Sequence, residues 1–385
     1  MPHTASRLAA FHACKIREMT KLAEHRGAIN LAQGFPDFDP PSELITAAHV
    51  ALDNGFHQYA LTPGSVRLRT ALALKQGALM GLPLDAERHI TITCGATEAM
   101  IAAMLTVCNP GDKVAMFSPF YENYRADAAL SGALSVCVPL YPPDFTFDPQ
   151  ELRQAFLDGA KALILCNPSN PTGRVFTVEE LNSVAELAQE FDAWIITDEV
   201  YHHIVYSPNR HTYFASLPNM FERTITCGSF SKTYSATGWR LGYVIADEAL
   251  TPKIRKVHDF LTVGAPAPLQ EAAVSALSLP DAYYSKLAAD YGRRRHILTG
   301  YLSELGLRYV LPQGSYFCLV DIGPFGFADD FDFCNWLIEE VGIAVVPGSV
   351  FFDKPVTNFV RFHFSKRDET LHAAGERLLR ISERT

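Results

Sequence analysis

The residues best equipped for chemistry lie in one stretch, Ser229 to Tyr243, reading SFSKTYSATGWRLGY. Two serines, a lysine and an arginine recur there at close intervals with almost no other charge nearby. A solvated charge run mixes signs and a core strand excludes Lys and Arg, so neither accounts for the pattern. Ser229, Ser231, Lys232 and Arg240 supply hydroxyl donors, an amine and a planar guanidinium fork, a set suited to holding a phosphate.

Three other short segments carry polar groups directly after apolar runs. Cys94 to Thr97 (CGAT) is a glycine turn opening a helix, where free N–H groups and the positive end of the helix dipole meet an anion, although such a turn is equally common as plain structure. Asn167 to Gly173 (NPSNPTG) is too rich in Pro and Asn to continue a strand. It is a shaped loop whose Asn170 can bond a ligand oxygen, or a simple turn. Asp198 opens DEVY (198 to 201) at the end of a buried run, where an unpaired carboxylate costs several kcal/mol. It therefore faces a cation, which is either a protein arginine or a positively charged ring nitrogen of a cofactor.

These segments need elements to position them. Between Ile90 and Ala246 short apolar runs (ITIT, KVAMFS, ALSVCVPL, KALILC, AWIIT, RTITC, LGYVIA) alternate with helical stretches such as ATEAMIAAMLTVC, YENYRADAALSG and TVEELNSVAELAQEF. The last begins with a capping box, Thr177 and Glu180. Strands apolar on both faces and joined by amphipathic helices predict an α/β fold, a large domain with a mostly parallel sheet covered by helices on both faces. Ligands sit at the carboxyl ends of such strands. After Asp247 helical patterns dominate, followed by strand-like RYVLP, YFCLVDIG, IAVVPG and FVRFHFS and a last helix, which predicts a smaller α+β domain.

The four polar segments then converge on one pocket that holds a phosphate cradle, an amine, a buried carboxylate, a tyrosine and an asparagine. That inventory meets the needs of pyridoxal 5′-phosphate, whose aldehyde requires a lysine, whose ring nitrogen requires a carboxylate and whose phosphate requires donors. The division expected is an N-terminal arm and part of the small domain (1–38), a large cofactor-binding domain (39–285) and a C-terminal small domain (286–385).

The bulk numbers fit a small-molecule enzyme. At 385 residues with 48% hydrophobic content the chain has material for two cores. Its net charge of −9 argues against nucleic acid or an anionic membrane as partner. The N-terminal segment scatters charge through its apolar residues, unlike a secretory signal, and no run approaches a membrane span, so a cytoplasmic location is expected. The eight cysteines are dispersed without metal spacing and read as reduced core thiols, and no metal is expected. His202 and His203 are adjacent; placed on a strand they point to opposite faces and cannot chelate together.

In order along the chain, GAT, PFYENY, NPSNPTG, DEVY, SFSK, GWR and VRFHFS resemble the pyridoxal-phosphate-dependent class I aminotransferases of fold type I. The resemblance covers nearly the whole chain. INLAQGFPDFDPP, HQYALTPG and KIRKVHDFLT are most similar to the bacterial methionine aminotransferase and kynurenine/glutamine transaminase branch.

The resemblance implies an amino-group transfer from methionine or another apolar or aromatic amino acid to a 2-oxo acid. It implies that Lys232 forms the internal aldimine and shuttles the proton, with a pKa lowered by Arg240, and that Asp198 holds the ring nitrogen protonated. Tyr201 and Asn170 would bond the phenolic oxygen and Tyr121 would stack on the ring, with Phe120 next door as the alternative. Gly95, Ala96, Thr97, Ser229, Ser231 and Arg240 would hold the phosphate, and Tyr59 would reach the phosphate of a second subunit, implying a homodimer with shared sites. Arg361 would grip the substrate α-carboxylate, with Gly34 closing over it and Asn170 beside it. Phe35, Tyr316 and Phe317 are candidates to line the side-chain pocket, and no second cation for a dicarboxylic substrate is evident.

Competing readings are weaker. SFSK is also a literal S-x-x-K, but the companion S-D-N and K-T-G strings of acylating serine enzymes are missing. A non-enzymatic regulator on this fold carries a DNA-binding domain, for which the residues ahead of Asn30 leave no room. A cysteine-conjugate β-lyase is the nearest rival, since the same pocket eliminates when the substrate carries a leaving group.

Overall fold

The computed structural model describes residues 3–11 and 13–381. Its strands are β1 (Ile29–Asn30), β2 (Ile90–Thr93), β3 (Lys113–Ser118), β4 (Leu134–Pro139), β5 (Ala160–Cys166), β6 (Trp194–Asp198), β7 (Thr224–Ser229), β8 (Gly242–Ile245), β9 (Arg308–Tyr309), β10 (Phe317–Asp321), β11 (Ile343–Ala344), β12 (Val346–Pro347) and β13 (Phe359–His363). Seven of them, the seven apolar runs of the sequence, form one sheet in the order β2-β8-β7-β6-β5-β3-β4. All neighbours pair in parallel except β8, which lies antiparallel between β2 and β7.

The parallel strands are apolar on both faces because both faces are covered. Ala115, Phe117, Leu163, Leu165 and Ile195 pack to one side with Leu152, Phe156, Leu181 and Val184 of helices Pro149–Leu157 and Val178–Glu190. Their strand neighbours Val114, Met116, Ala162, Ile164 and Ile196 pack to the other with helix Gly95–Val107. Each large aliphatic side chain so enclosed contributes about 1.5–3 kcal/mol. Helix Val178–Glu190 opens with the expected reciprocal capping box of Thr177 and Glu180.

Helix Gly95–Val107 lies against β6, β7 and β8, and it is rich in small residues. Ala99, Ala102 and Ala103 have no exposed surface, so the helix axis approaches the sheet closely and holds its N-terminus beside the strand ends.

A second sheet, β12-β13-β10-β9, is antiparallel. Its core also takes in Ile16, Met19 and Ala23 from helix Lys15–Arg26 and residues of helices Asp281–Glu304 and Asp368–Leu379. The N-terminal segment is stitched to this sheet's surroundings by parallel pairing of β1 with β11.

Candidate active site

The carboxyl ends of β2, β5, β6 and β7 do converge. They line one cavity of about 500 Å³ together with helix Lys15–Arg26, residues 33–35 and β13. Ala96, Thr97, Tyr121, Asn170, Asp198, Tyr201, Ser229, Ser231, Lys232, Arg240, Gly34 and Arg361 all reach its wall. Two of the residues expected to hold the phosphate do not. Gly95 lies just behind the wall, and Tyr59 stands on the surface, 87% exposed.

The end near β2 and β7 is built for an anion. Gly95 opens its helix with φ +80°, and a Cβ there would meet the Arg240 guanidinium at 2.3 Å, so only glycine admits the arginine. Ala96 and Thr97 follow in the first turn, whose N–H groups have no partner within the helix. Ser229 caps the short helix Phe230–Thr233 by accepting from the Ser231 N–H at 2.9 Å. Ser231 Oγ is buried with no hydrogen-bond partner. Arg240 is held in the left-handed region at φ 54°, with Nη1 donating to the Thr237 carbonyl at 3.0 Å. An orphaned hydroxyl, open helix N–H groups and a guanidinium sharing one cleft fit a phosphate group.

This helix end is tied down from behind. Glu98 accepts from the Cys94 N–H, from His258 Nδ1–H and from Thr262, while His258 Nε2 lies 2.9 Å from the Thr62 carbonyl. Burial pushes the Glu98 carboxyl up, but those hydrogen bonds outweigh it and hold the group below its ordinary range.

Lys232 Nζ donates to the Gly34 carbonyl at 3.2 Å, and the Tyr316 hydroxyl donates to the same oxygen at 2.8 Å. Its amine pKa is lowered to about 8, first by burial; the charge of Asp198 opposes the shift, and Arg240 and Arg361 add to it. Burial rather than Arg240 is thus the main cause, which corrects the expectation from sequence.

Asp198 ends β6 and accepts from the Tyr124 hydroxyl at 2.7 Å and, more weakly, from the Val200 N–H at 3.4 Å. No arginine pairs with it among the described residues. Burial raises its pKa against the hydrogen bond from Tyr124. The protein-arginine alternative for this carboxylate is therefore not what the fold provides.

Arg361 is 1% exposed, far from a surface decoration. Register on β13 sets it opposite Leu319 of β10 and Val346 of β12. Nη1 donates to Asn170 Oδ1 at 2.7 Å and Nη2 to the Ala32 carbonyl at 2.9 Å, while Nε is buried without a partner. Burial lowers its pKa to about 10, still cationic at neutral pH.

Among the aromatics, Tyr121 reaches the cavity, whereas Phe120 is buried in the core beneath the Arg125 guanidinium. Tyr201 meets Tyr316 and Phe317 edge-on at centroid distances of 5.2 and 5.8 Å. Phe35 and Phe317 line the cavity; Tyr316 sits behind them in the core.

His202 and His203 depart from expectation. β6 stops at Asp198 and the chain turns, so the two rings do not point to opposite faces but lie 4.2 Å apart. Burial lowers the pKa of both. Among the described residues no group of three or more His, Cys, Asp or Glu could hold a metal ion.

Tyr124, Asp127 and Arg17 also line the cavity and were not singled out from sequence. Tyr124 and Asp127 are three residues apart on helix Asn123–Ser131, a spacing that sets them side by side on one face. Arg17, on helix Lys15–Arg26, makes no ion pair among the described residues.

The profile of the family "Aminotransferase class I and II" matches residues 26–378. The chain is 38% identical to the methionine aminotransferase of Escherichia coli over 94% of this chain and 95% of that one. It is 35% identical to human kynurenine–oxoglutarate transaminase 1 over 94% of each. The solved structure of N-succinyldiaminopimelate aminotransferase from Mycobacterium tuberculosis superposes with a TM-score of 0.95 at 39% identity, covering 98% of this chain and 99% of that one. With the cleft, its donors and its lysine in place, the chain belongs to the class I and II aminotransferases, enzymes that depend on pyridoxal phosphate.

Proposed function

We propose that this aminotransferase moves the amino group of methionine, or of another apolar or aromatic L-amino acid, to a 2-oxo acid, with Lys232 as its central base. The carrying observation is the amine of Lys232 in the same enclosed cavity as Asp198, Arg361 and the anion cradle, with its pKa lowered to about 8. A partly neutral amine at physiological pH accepts a proton readily.

Pyridoxal phosphate, when bound, supplies an aldehyde for the substrate amine and a ring that accepts the electron pair left as Cα loses its proton. Ala96, Thr97, Ser229, Ser231 and Arg240 hold its phosphate, with Gly95 leaving room for the Arg240 fork. Asp198 keeps the ring nitrogen protonated, braced by Tyr124. Tyr201, Asn170 and Tyr121, on the same wall, would hold the ring, the first two by hydrogen bonds and the last by aromatic contact. Arg361 binds the substrate α-carboxylate with its two-pronged fork, and Gly34 and Ala32 close the backbone over it. Lys232 takes the Cα proton and returns it on the other side of the transfer.

Apolar side-chain preference is supported by Phe35 and Phe317 on the cavity wall. A second reading, in which one substrate carries a distal carboxylate, is favoured by Arg17 on the same wall, which makes no ion pair among the described residues. The N-succinyldiaminopimelate aminotransferase among the similar structures is named for such a substrate.

The assembly we infer is a homodimer with shared sites. Tyr59 stands exposed beside Leu61, Phe260 and Val263, an apolar surface formed where Thr62 bonds Asp259 at 3.1 Å. Eight unpaired cysteines support a reducing, cytoplasmic location, and no described helix is long and apolar enough to cross a membrane. For the domain division 1–38, 39–285 and 286–385, the packing of Ile16 and Met19 into the C-terminal core is the support.

The test is Lys232→Ala, which should abolish the visible absorbance of the lysine-bound cofactor and nearly all turnover; wild-type turnover would refute the assignment. A spectral screen of amino acids then separates transfer from β-elimination by whether the cofactor ends in its amine form. The same screen, run with Arg17→Gln, reports whether dicarboxylic substrates alone are weakened.

A further inference from the structure

Asp127 is a buried acid in the cavity wall that the mechanism above does not use. It lies on helix Asn123–Ser131, one turn beyond Tyr124, and is 3% exposed. It lines the same cavity as Asp198, and its Oδ2 is enclosed without a hydrogen-bond partner. No cation pairs with it among the described residues.

The charges around it are few. Asp198 on β6 is the charged group that acts on it, and burial together with that charge pushes the Asp127 carboxyl up to about 8. The Cys227 thiol on β7 and the Tyr124 hydroxyl on its own helix stay neutral, both raised by burial. On the packed neighbours, Glu98 of helix Gly95–Val107 is turned to His258, and Cys137 of β4 is turned to Arg125. Arg125 itself, on Asp127's own helix, is committed to Asp353.

Two carboxyls in one enclosed space resist ionising together, and a cation placed with them relieves both. A protonated heterocycle whose nitrogen faces Asp198 is such a cation. We propose that Asp127 is a positioning residue for the ring proton: it forms with Asp198 a carboxyl pair at one end of the cavity and adds a second negative charge there, so that the heterocycle stays protonated into more alkaline solution than Asp198 alone would allow. The proposal rests on the placement of Asp198 at the ring nitrogen given above.

The experiment is a pH titration of the ring-nitrogen chemical shift in holoenzyme loaded with ring-¹⁵N pyridoxal phosphate, for wild type, Asp127→Asn and Asp198→Asn. The expected result is a deprotonation midpoint lower in Asp127→Asn by about one pH unit, roughly tenfold in the protonation equilibrium, with a larger displacement in Asp198→Asn. Coincident curves for wild type and Asp127→Asn, with Asp198→Asn displaced, would overturn this proposal and leave the role of Asp198 standing. An unmoved curve in Asp198→Asn would overturn both.

Melting of the apoenzymes covers the case in which Asp127→Asn loads poorly. A carboxyl raised from 3.8 to about 8 in the folded state costs stability progressively as pH rises through that window. The Asp127→Asn apoenzyme should therefore gain on wild type from low to high pH, and a melting difference that is flat with pH would also overturn the proposal.

Discussion

Arg361 and Asn170 share a buried hydrogen bond, Nη1 to Oδ1 at 2.7 Å, which joins β13 of the small sheet to the loop after β5 of the large one. Arg361→Lys keeps a charge but loses the fork that reaches Asn170 and the Ala32 carbonyl together. The expected outcome is a rise of ten- to a hundredfold in KM for amino acids, about 1.5–3 kcal/mol, with the bound-cofactor spectrum unchanged. Steady-state kinetics beside an absorbance spectrum checks both parts, and a spectrum lost along with binding would show that Arg361 had been misassigned.

The Tyr124 hydroxyl on Asp198 stabilises the ionised carboxylate against burial. Removing it in Tyr124→Phe should raise the Asp198 pKa further, since the charged form loses a hydrogen bond. A carboxyl whose folded pKa lies above its unfolded value gives stability that is full below about 3.8 and declines as pH rises. Apoenzyme Tyr124→Phe should accordingly lose stability relative to wild type above that pH, and the holoenzyme should turn over about tenfold more slowly. An unchanged pH dependence of melting would count against the bond.

Glu98 shows the opposite sign. Its folded pKa lies below 4.5, so its contribution is present above that pH and disappears as acid protonates it. Glu98→Gln should therefore differ most from wild type near neutrality and least in acid. His258→Ala takes from the buried carboxylate one of its three donors and should cost about 1.5–3 kcal/mol. Because the pair anchors the helix end carrying Ala96 and Thr97, both variants should also release cofactor faster. Thermal melts from acid to neutral pH and a cofactor dissociation assay make the comparison.

Tyr59→Ala tests the shared site. Sedimentation should give twice the 42.6 kDa chain mass for wild type and variant alike, with cofactor retention reduced in the variant alone. A monomer that holds its cofactor as tightly as wild type would defeat the assignment.

The large sheet was legible because each of its strands, buried on both faces, leaves a continuous apolar run such as KALILC or AWIIT. The site was legible where chemistry follows a strand end directly, as with Asp198 and Ser229. What stayed hidden depends on partners distant in sequence. Nothing in YENYRADAAL announces that Tyr124 will meet Asp198, or in KVHDFL that His258 will meet Glu98, since those bonds form only after strands and helices have been laid side by side. His202 and His203 were misread for a local reason: the periodicity continues past Asp198 while the backbone turns. Arg17 reaches the cavity wall from a helix that packs its Ile16, Met19 and Ala23 into the C-terminal core, a docking without a local signal.

The insertion of β8 between β2 and β7 brings Gly242 so close to Gly95 that a Cβ on it would lie 2.4 Å from the Gly95 carbonyl carbon. Two turns almost 150 residues apart along the chain thus become a single wall only when that late strand slots home. The cradle of Ala96, Thr97 and Arg240 is therefore whole only in the fully paired sheet, and cofactor loading should follow sheet closure rather than seed it.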